Sequence, residues 1–140
     1  MMNDTIKGMG FHHAALNCKD FDKSIAFYLS LGCKVKVAWG EGASRAAMLD
    51  LGDGGCIELF AGGIDAKTES KTQSGEWFHL ALSSDDPDAA YAAAIEAGAK
   101  EKTAPFDTVI GSQPPKPIRI AFVYGPDGEV IEFFHVRDGR

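Results

Sequence analysis

Two histidines and two glutamates recur along the chain at spacings that would suit one metal site. His13 opens the segment HAALN and His79 opens HLALS 66 residues later, while Glu58 lies in CIELF and Glu132 lies in VIEFF 74 residues later. Imidazole nitrogens and carboxylate oxygens are donors that fit divalent Zn, Ni, Co, Mn or Fe. Four such donors on an octahedral ion would leave two positions open for water or substrate. We therefore predict one divalent metal ion per site, held by these four residues.

Each of the two glutamates is flanked by large apolar residues, so its burial would be costly unless a partner compensates the charge. Arg45 and Arg119 also recur, and a salt bridge to one of them is an alternative to a metal. A single histidine in a strand is likewise more often structural than a ligand. The metal is favoured because both histidines and both glutamates stand at matched places, although most other positions of the two copies differ.

The matched spacing arises from an internal repeat. When residues 13–34 are laid over residues 79–100 without a gap, eight of 22 positions are identical. A second alignment places residues 45–60 over residues 119–134, and the shift grows from 66 to 74. The loop GSQPPKP, residues 111–117, is the simplest place for the inserted residues. The chain is therefore predicted to be a tandem duplication.

Each copy is predicted to fold as a βαβββ module. A short apolar strand is followed by a helix that begins after a capping aspartate, Asp20 or Asp86, and ends at Gly32 or Gly98. Three strand segments follow in each copy, the last two joined by Gly- and Asp-rich turns. The expected fold class is α+β, with two tandem modules forming a curved mixed sheet around the metal site. The single domain spans residues 8–138, with module 1 at about 8–62, a linker at 63–75 and module 2 at about 76–137.

Strand alternation indicates which side chains share a face with the four candidate ligands. His13, Ala15 and Asn17 point one way, and Val130, Glu132 and Phe134 do the same in the second copy. The neighbours on this face are mostly small, which leaves room for a modest substrate. The predicted substrate contacts among them are Asn17, Ser83 and Phe134.

Composition excludes several classes of partner. The chain has 140 residues and a net charge of −6, and its 14 Lys and Arg residues are scattered, so a nucleic-acid partner is not expected. No apolar run is long enough to cross a bilayer, and the first residues do not resemble a secretory signal. Its three cysteines form no CxxC pair, which is typical of reduced thiols and favours the cytoplasm. A homodimer is expected because two small sheets would leave exposed edges.

Four segments carry a resemblance to a known family over nearly the whole chain, from about residue 10 to residue 136. They are HAALNCKDFDKSIAFYLSLG, CIELF, FHLALSSDD and GPDGEVIEFF. The chain resembles the vicinal-oxygen-chelate superfamily, which includes glyoxalase I, bleomycin-resistance proteins, fosfomycin-resistance enzymes, methylmalonyl-CoA epimerase and ring-cleaving dioxygenases. Members of this superfamily build each site either within one chain or from two chains, and the sequence leaves both arrangements open.

Within that superfamily, the ligand set of His13, Glu58, His79 and Glu132 resembles that of glyoxalase I. The resemblance implies a metal-dependent lyase or isomerase, similar to lactoylglutathione lyase, which shifts a proton between adjacent carbons of a small oxygenated substrate through an enediolate. A glutamate ligand would be the catalytic base, with Glu132 as the first choice and Glu58 as the second.

Two other functions occur in the same superfamily. One is non-catalytic binding of a small molecule or antibiotic, as in bleomycin-resistance proteins, which generally lack the ligand set. The other is an extradiol-type dioxygenase, which typically uses three ligands and not the position of Glu58. Four protein ligands leave only two octahedral positions, which crowds out a bidentate substrate together with O₂. The lyase is therefore favoured.

The resemblance to glutathione-using enzymes breaks at three positions. Those enzymes carry an Arg four residues after the first histidine, an Asn four after the first glutamate and often an Arg four before the second histidine. The residues here are Asn17, Gly62 and Gly75. Lys116 matches a basic residue that such enzymes use near a glutathione carboxylate. Arg119 is a further candidate for a substrate carboxylate, with pairing to another side chain as the alternative.

Overall fold

The two copies fold as two βαβββ modules, as the sequence predicts. The computed structural model describes residues 4–5, 11–62 and 79–138, so the predicted linker lies outside the described residues. Module 1 contains β1 (His13–Asn17), α1 (Phe21–Ser30), β2 (Lys34–Trp39), β3 (Ala46–Asp50) and β4 (Cys56–Phe60). Module 2 contains β5 (Leu80–Ser83), α2 (Pro87–Glu96), β6 (Lys100–Ile110), β7 (Lys116–Tyr124) and β8 (Val130–Val136). A short 3₁₀ turn, Gly42–Ser44, connects β2 to β3.

Each module forms its own four-stranded mixed sheet. The strand orders are β1-β4-β3-β2 and β5-β8-β7-β6, and the first strand of each module runs parallel to the last one. The remaining neighbours are antiparallel. In this order β1 and β5 are edge strands, each paired on one side within its own sheet. The first and last strands of each module are therefore hydrogen-bonded neighbours, although they are far apart in sequence.

The helices begin and end where the capping residues predict. The Asp20 side chain accepts a hydrogen bond from the backbone N–H of Lys23 at 3.1 Å, and Asp86 accepts one from Ala89 at 3.1 Å. These bonds satisfy backbone donors that a helix N-terminus leaves unpaired. Gly32 and Gly98 follow the helices with φ of +97° and +110°, a conformation that favours glycine. The matched aspartates and glycines therefore cap and end the helix in the same way in both modules.

The insertion in the second copy is only partly a loop, contrary to its prediction as one across residues 111–117. Lys116 and Pro117 belong to β7 and pair with Ile110 and Val109 of β6. β6 has 11 residues and β7 has 9, whereas β2 and β3 have 6 and 5. Most of the added residues therefore lengthen the β6–β7 hairpin, in which their backbone N–H and C=O groups can hydrogen-bond across the strands. The loop itself is residues 111–115.

The two modules share one hydrophobic core on the helix side of their sheets. Its fully buried members include Tyr28, Leu49 and Leu59 from module 1 and Val123 and Ile131 from module 2. One face of β4 and of β8 packs into this core. Glu58 and Glu132 therefore lie on the opposite face of each strand, where the predicted site is. The three cysteines are buried free thiols, and burial raises the pKa of Cys18 to about 11. None of the helices in the described ranges is long and apolar enough to span a bilayer.

A polar joint ties α1 of module 1 to the turn between β7 and β8 of module 2. The Asp127 carboxylate accepts hydrogen bonds from the Lys19 backbone N–H at 2.6 Å and the Ser24 hydroxyl at 2.7 Å. The Tyr28 hydroxyl donates to Glu129 at 2.7 Å. Gly125 leaves space for the Glu129 carboxyl, because a methyl group at its Cα would overlap that carboxyl and force the side chain to move. The joint holds the turn that leads into β8, and with it the strand that carries the second candidate glutamate.

Removing the Tyr28 hydroxyl tests the strength of this joint. Tyr28→Phe leaves the Glu129 carboxylate short of a donor in a largely buried position, which is expected to lower the free energy of unfolding by about 1–3 kcal/mol. Urea denaturation of both proteins measures this difference. Tyr91→Phe removes a hydroxyl that hydrogen-bonds the Glu101 carboxylate on the partly exposed face of α2. It is the matched control and should change stability by less than about 0.5 kcal/mol, because water can replace the lost partner. Equal stability of the wild type and Tyr28→Phe would show that the joint is not stabilising.

The Glu129 carboxyl should also give stability a distinct pH dependence. Burial raises its pKa in the folded protein, although hydrogen bonds from Tyr28 and the local backbone act in the opposite direction. The folded state therefore binds this proton more tightly than the unfolded chain, and stability falls as pH rises from about 4.3, the ordinary carboxyl value, through the raised pKa. Glu129→Gln removes this contribution. Its unfolding free energy minus that of the wild type should increase between pH 4 and pH 7, and a constant or decreasing difference would contradict the assignment.

Candidate metal centre

The four candidate ligands form two histidine–glutamate pairs, one in each module. In module 1, β1 is parallel to β4 and places Ala15 opposite Glu58, and in module 2 β5 places Ala81 opposite Glu132. The histidine two residues earlier reaches the glutamate across the pair of strands. The Nε2–Oε1 distance is 3.4 Å for His13 and Glu58 and 3.2 Å for His79 and Glu132. The same local geometry is therefore built twice.

In each pair the glutamate is much less exposed than the histidine, and Glu132 is buried. The side chains of Glu58 and Glu132 are 14% and 9% exposed, whereas His13 and His79 are 37% and 30% exposed. Burial raises the pKa of Glu132, and the adjacent His79 partly offsets this effect. The expectation that each inward glutamate has a partner is confirmed, and the partner is the histidine of its own module rather than an arginine.

Each pair has the dimensions of two adjacent ligands on one divalent ion. Metal–nitrogen and metal–oxygen bonds of about 2.1 Å place the two donor atoms about 3.0 Å apart at a 90° angle and about 3.4 Å apart at a tetrahedral angle. The observed separations of 3.4 and 3.2 Å lie in or next to this range. Each pair therefore fits two adjacent ligand positions of a divalent ion.

A single chain does not bring the two pairs into one cluster. In the ranges that the structure describes, no group of three or more His, Cys, Asp or Glu side chains is placed to hold one ion. His13 and His79 nevertheless line the same groove, of about 660 Å³, which borders both β1 and β5. Each module thus supplies a two-ligand half-site. The convergence of all four side chains stays a prediction.

Three of the predicted substrate contacts lie on the same face as the pairs. Asn17 is opposite Phe60 and Ser83 is opposite Phe134, one row beyond Glu58 and Glu132 along the paired strands. Asn17 and Ser83 are exposed, and Phe134 is half-buried. Strand alternation therefore located this face correctly, while the contact of these residues with a substrate stays a prediction.

The two basic candidates on β7 lie on opposite faces. Lys116 shares the face of Phe122, which is opposite Glu132 in the register. Arg119 lies on the helix side, where it donates to Asp88 at 2.6 and 2.8 Å and to Asp107 at 3.0 Å. The prediction that Arg119 holds a substrate carboxylate therefore does not agree with the fold, because its guanidinium is engaged by two carboxylates away from the site face.

The recurrence of arginine in the two copies has a structural explanation. Arg45 pairs with Asp22 at 2.9 Å in module 1, as Arg119 pairs with Asp88 in module 2. Both acidic residues lie in the first turn of a helix, so Arg119 of β7 and Arg45, the residue before β3, each connect the sheet to the start of the helix of the same module. Pairing with another side chain, the alternative left open by the sequence, is what the structure shows.

Several residues near the pairs were missed by reasoning from the sequence. Met48 and Phe122 lie opposite Glu58 and Glu132 in the register, and the Phe122 ring lies 6.1 Å from the His79 ring. The alignment of residues 45–60 with residues 119–134 matches these two positions and could have identified them. The Lys102 ammonium lies 6.0 Å from the Phe122 ring centroid. Lys102 falls where the β6–β7 register shifts, and the sequence gives no signal for that irregularity.

Three aromatic residues stand near the ends of the predicted strands, namely Trp39, Trp77 and Phe106. The Trp39 ring contacts Phe60 edge to face at 6.4 Å and is 43% exposed, and Phe106 is 39% exposed. Both lie on the site face by their registers. Trp77 lies outside the described residues.

Comparison with known proteins establishes the family. Residues 10–133 match the model of the Glyoxalase/Bleomycin resistance protein/Dioxygenase superfamily, and the chain belongs to that superfamily. A protein of Bacillus subtilis (strain 168), the uncharacterized protein YwbC, is 30% identical over 125 residues, covering 87% of this chain and 94% of its own.

Solved structures share the fold at low sequence identity. A glyoxalase family protein from Enterococcus faecalis is 21% identical with a TM-score of 0.69, covering 91% of this chain and 98% of its own. A glyoxalase I mutant from Zea mays is 21% identical with a TM-score of 0.66, and the match covers 89% of this chain and 43% of that one. These similarities concern the architecture, so activity has to be argued from the site.

Proposed function

We propose that the protein is a divalent-metal-dependent lyase or isomerase of the glyoxalase type. The reaction would shift a proton between adjacent carbons of a small oxygenated substrate. The observation that supports this most directly is the repeated pair of a largely buried glutamate and a more exposed histidine, with donor atoms 3.4 and 3.2 Å apart. The same pair occurs in both modules, and in each the histidine end is exposed on the open face of the sheet.

The four pair residues would hold the ion, and one of them would also move the proton. When bound, a divalent ion supplies Lewis-acid polarisation of a substrate oxygen, which increases the acidity of the neighbouring C–H bond. Glu132 is suited to be the base, because it is the more buried carboxylate and burial raises its pKa. A raised pKa increases the ability of a carboxylate to accept a proton from carbon. Glu132 would then return this proton to the adjacent carbon.

The site face favours a small substrate over a glutathione adduct. Ala15 and Ala81 lie directly opposite the two glutamates and leave space above them. Asn17 stands where glutathione-using enzymes carry an arginine, and Arg119 is held by carboxylates on the other side of its sheet. A tripeptide with two carboxylates would therefore find weak electrostatic recognition, whereas adjacent hydroxyl and carbonyl oxygens need only the ion and one or two polar side chains.

A homodimer would complete the centre. One chain supplies two half-sites, so the quartet can form if the His13–Glu58 pair of one copy meets the His79–Glu132 pair of another. The site face also carries large apolar side chains that are exposed in the single chain, including Val37, Trp39 and Phe106. Their burial against a second copy would stabilise the dimer through the hydrophobic effect.

The same exposed apolar side chains support a second function. In a non-catalytic binding protein, Trp39 and Phe106 would contact a bound small molecule and neither pair would need a metal. The two functions differ in a measurable way, because the enzyme requires stoichiometric metal and exchange of a substrate proton.

Proton exchange measured by NMR tests the enzyme. The metal-loaded protein is expected to contain one divalent ion per site by elemental analysis. In D₂O it should exchange the hydroxymethylene hydrogens of dihydroxyacetone, or incorporate deuterium at C2 of the lactate or lactoyl product formed from methylglyoxal without or with glutathione. Glu132→Gln should lower the exchange rate by about 10²-fold or more, because it removes the base. Glu96→Gln, on the exposed face of α2, should retain the wild-type rate. Tight binding of an aromatic ligand by protein that holds no metal would support the binding function instead.

Mixing of two inactive variants tests whether two chains share each site. One variant carries His13→Ala and Glu58→Ala, and the other carries His79→Ala and Glu132→Ala, so neither homodimer retains a complete quartet. Refolding an equal mixture should restore about a quarter of the wild-type metal sites, because half of the randomly assembled C₂ dimers are mixed and each has one intact site. Metal content by elemental analysis after gel filtration gives the fraction. No recovery from a mixture that forms dimers would place each site within one chain.

A further inference from the structure

We propose that His12 is a positioning residue for His13, fixing the orientation and tautomer in which His13 binds the metal. This inference rests on the proposed metal centre and adds a residue that is not itself one of the four ligands. The Nδ1 atoms of His12 and His13 are 2.9 Å apart, which is a hydrogen-bond distance. The two rings are nearly perpendicular, with centroids 5.1 Å apart and an interplanar angle of 81°.

The His13 ring is held at both of its nitrogens. Its Nδ1 contacts His12, while its Nε2 points to Glu58 at 3.4 Å. The backbone of His12 is fixed as well, because its carbonyl accepts a hydrogen bond from the Cys56 N–H of β4 at 2.9 Å. His12 therefore lies in a defined place beside the strand that carries Glu58, although its side chain is exposed.

An imidazole is a suitable partner because it can either donate or accept. A neutral histidine has one N–H and one nitrogen with a free lone pair. Without metal, His13 can place its hydrogen on Nε2 toward Glu58, and His12 then donates to Nδ1. With metal on Nε2, the hydrogen of His13 must be on Nδ1, and His12 then accepts it. A carboxylate or carbonyl could serve only the second arrangement.

A hydrogen bond to the second ring nitrogen of a metal-ligating histidine affects metal binding. A ligating histidine usually donates its second N–H to a neighbouring group, which orients the ring, and loss of that group typically weakens metal binding by about 10–100-fold. The first copy carries a histidine at this place, whereas the second copy carries Phe78 in the sequence. The two half-sites are therefore chemically different, and His12 belongs to the one built by module 1.

Zinc affinity of position-12 variants tests the assignment. His12→Ala should raise the Kd for Zn²⁺, measured by competition with a chelator at constant pH, by about 10–100-fold. His12→Asn should recover most of the affinity, because its amide places both a donor and an acceptor near the position of Nδ1. His135→Ala removes a histidine from the opposite face of β8, where it pairs with Arg119 in the register, and should leave the Kd unchanged.

The outcomes separate this inference from the proposed function. If the wild type binds no Zn²⁺, the metal centre itself is wrong and the role of His12 is lost with it. If the wild type binds and His12→Ala binds equally well, the metal centre stands and the positioning role is overturned. If His12→Asn is as weak as His12→Ala, the hydrogen bond is not the cause. The ¹⁵N resonances of the His13 ring in metal-free protein should also shift in His12→Ala and largely recover in His12→Asn, since they report the hydrogen bond directly.

Discussion

The burial of a carboxylate in an apolar strand is the constraint on which the site depends. Glu58 and Glu132 each lie between large apolar residues whose side chains pack into the shared core. An ionised group in that place requires a counter-charge or a strong hydrogen-bond donor. A histidine on the neighbouring parallel strand lies beside the carboxylate in both modules, with its Nε2 atom 3.4 or 3.2 Å from a carboxylate oxygen. The parallel pairing of first and last strands is what makes this contact possible, because it places residues that are 45 and 53 positions apart side by side.

Duplication explains more of the molecule than the site. The capping aspartates, the glycines that end the helices and the arginine–aspartate pairs all occur once in each module. A matched residue therefore has either a structural or a chemical reason to be present, and its face separates the two. Arg45 and Arg119 lie on the helix side and connect strand to helix. The histidine–glutamate pairs lie on the open side, where no packing requires them.

Much of the fold and part of the site could be predicted from the sequence for these reasons. Alternation along short strands grouped each candidate ligand with the side chains on its own face of the strand, and the caps gave the helix limits. The sequence does not decide whether Arg119 binds a substrate or pairs with another side chain, because the same pattern allows its guanidinium on either face of β7. Lys102 and the long β6–β7 hairpin depend on an irregular register, and local sequence does not specify how an insertion is divided between strand and loop. Strand alternation places His12 and His13 on opposite faces, so a contact between their side chains could not be predicted from the sequence.

The replacement of Met48 by Phe122 at matched places has a consequence for selectivity. A site with two identical halves would offer the same surroundings to both sides of a flat substrate. Here a flexible thioether lies opposite one glutamate and a rigid ring that touches His79 lies opposite the other. A planar molecule held between the half-sites would meet a different surface on each side. Divergence after duplication has thus made the surroundings of the two half-sites different, although the histidine and glutamate of each pair are kept.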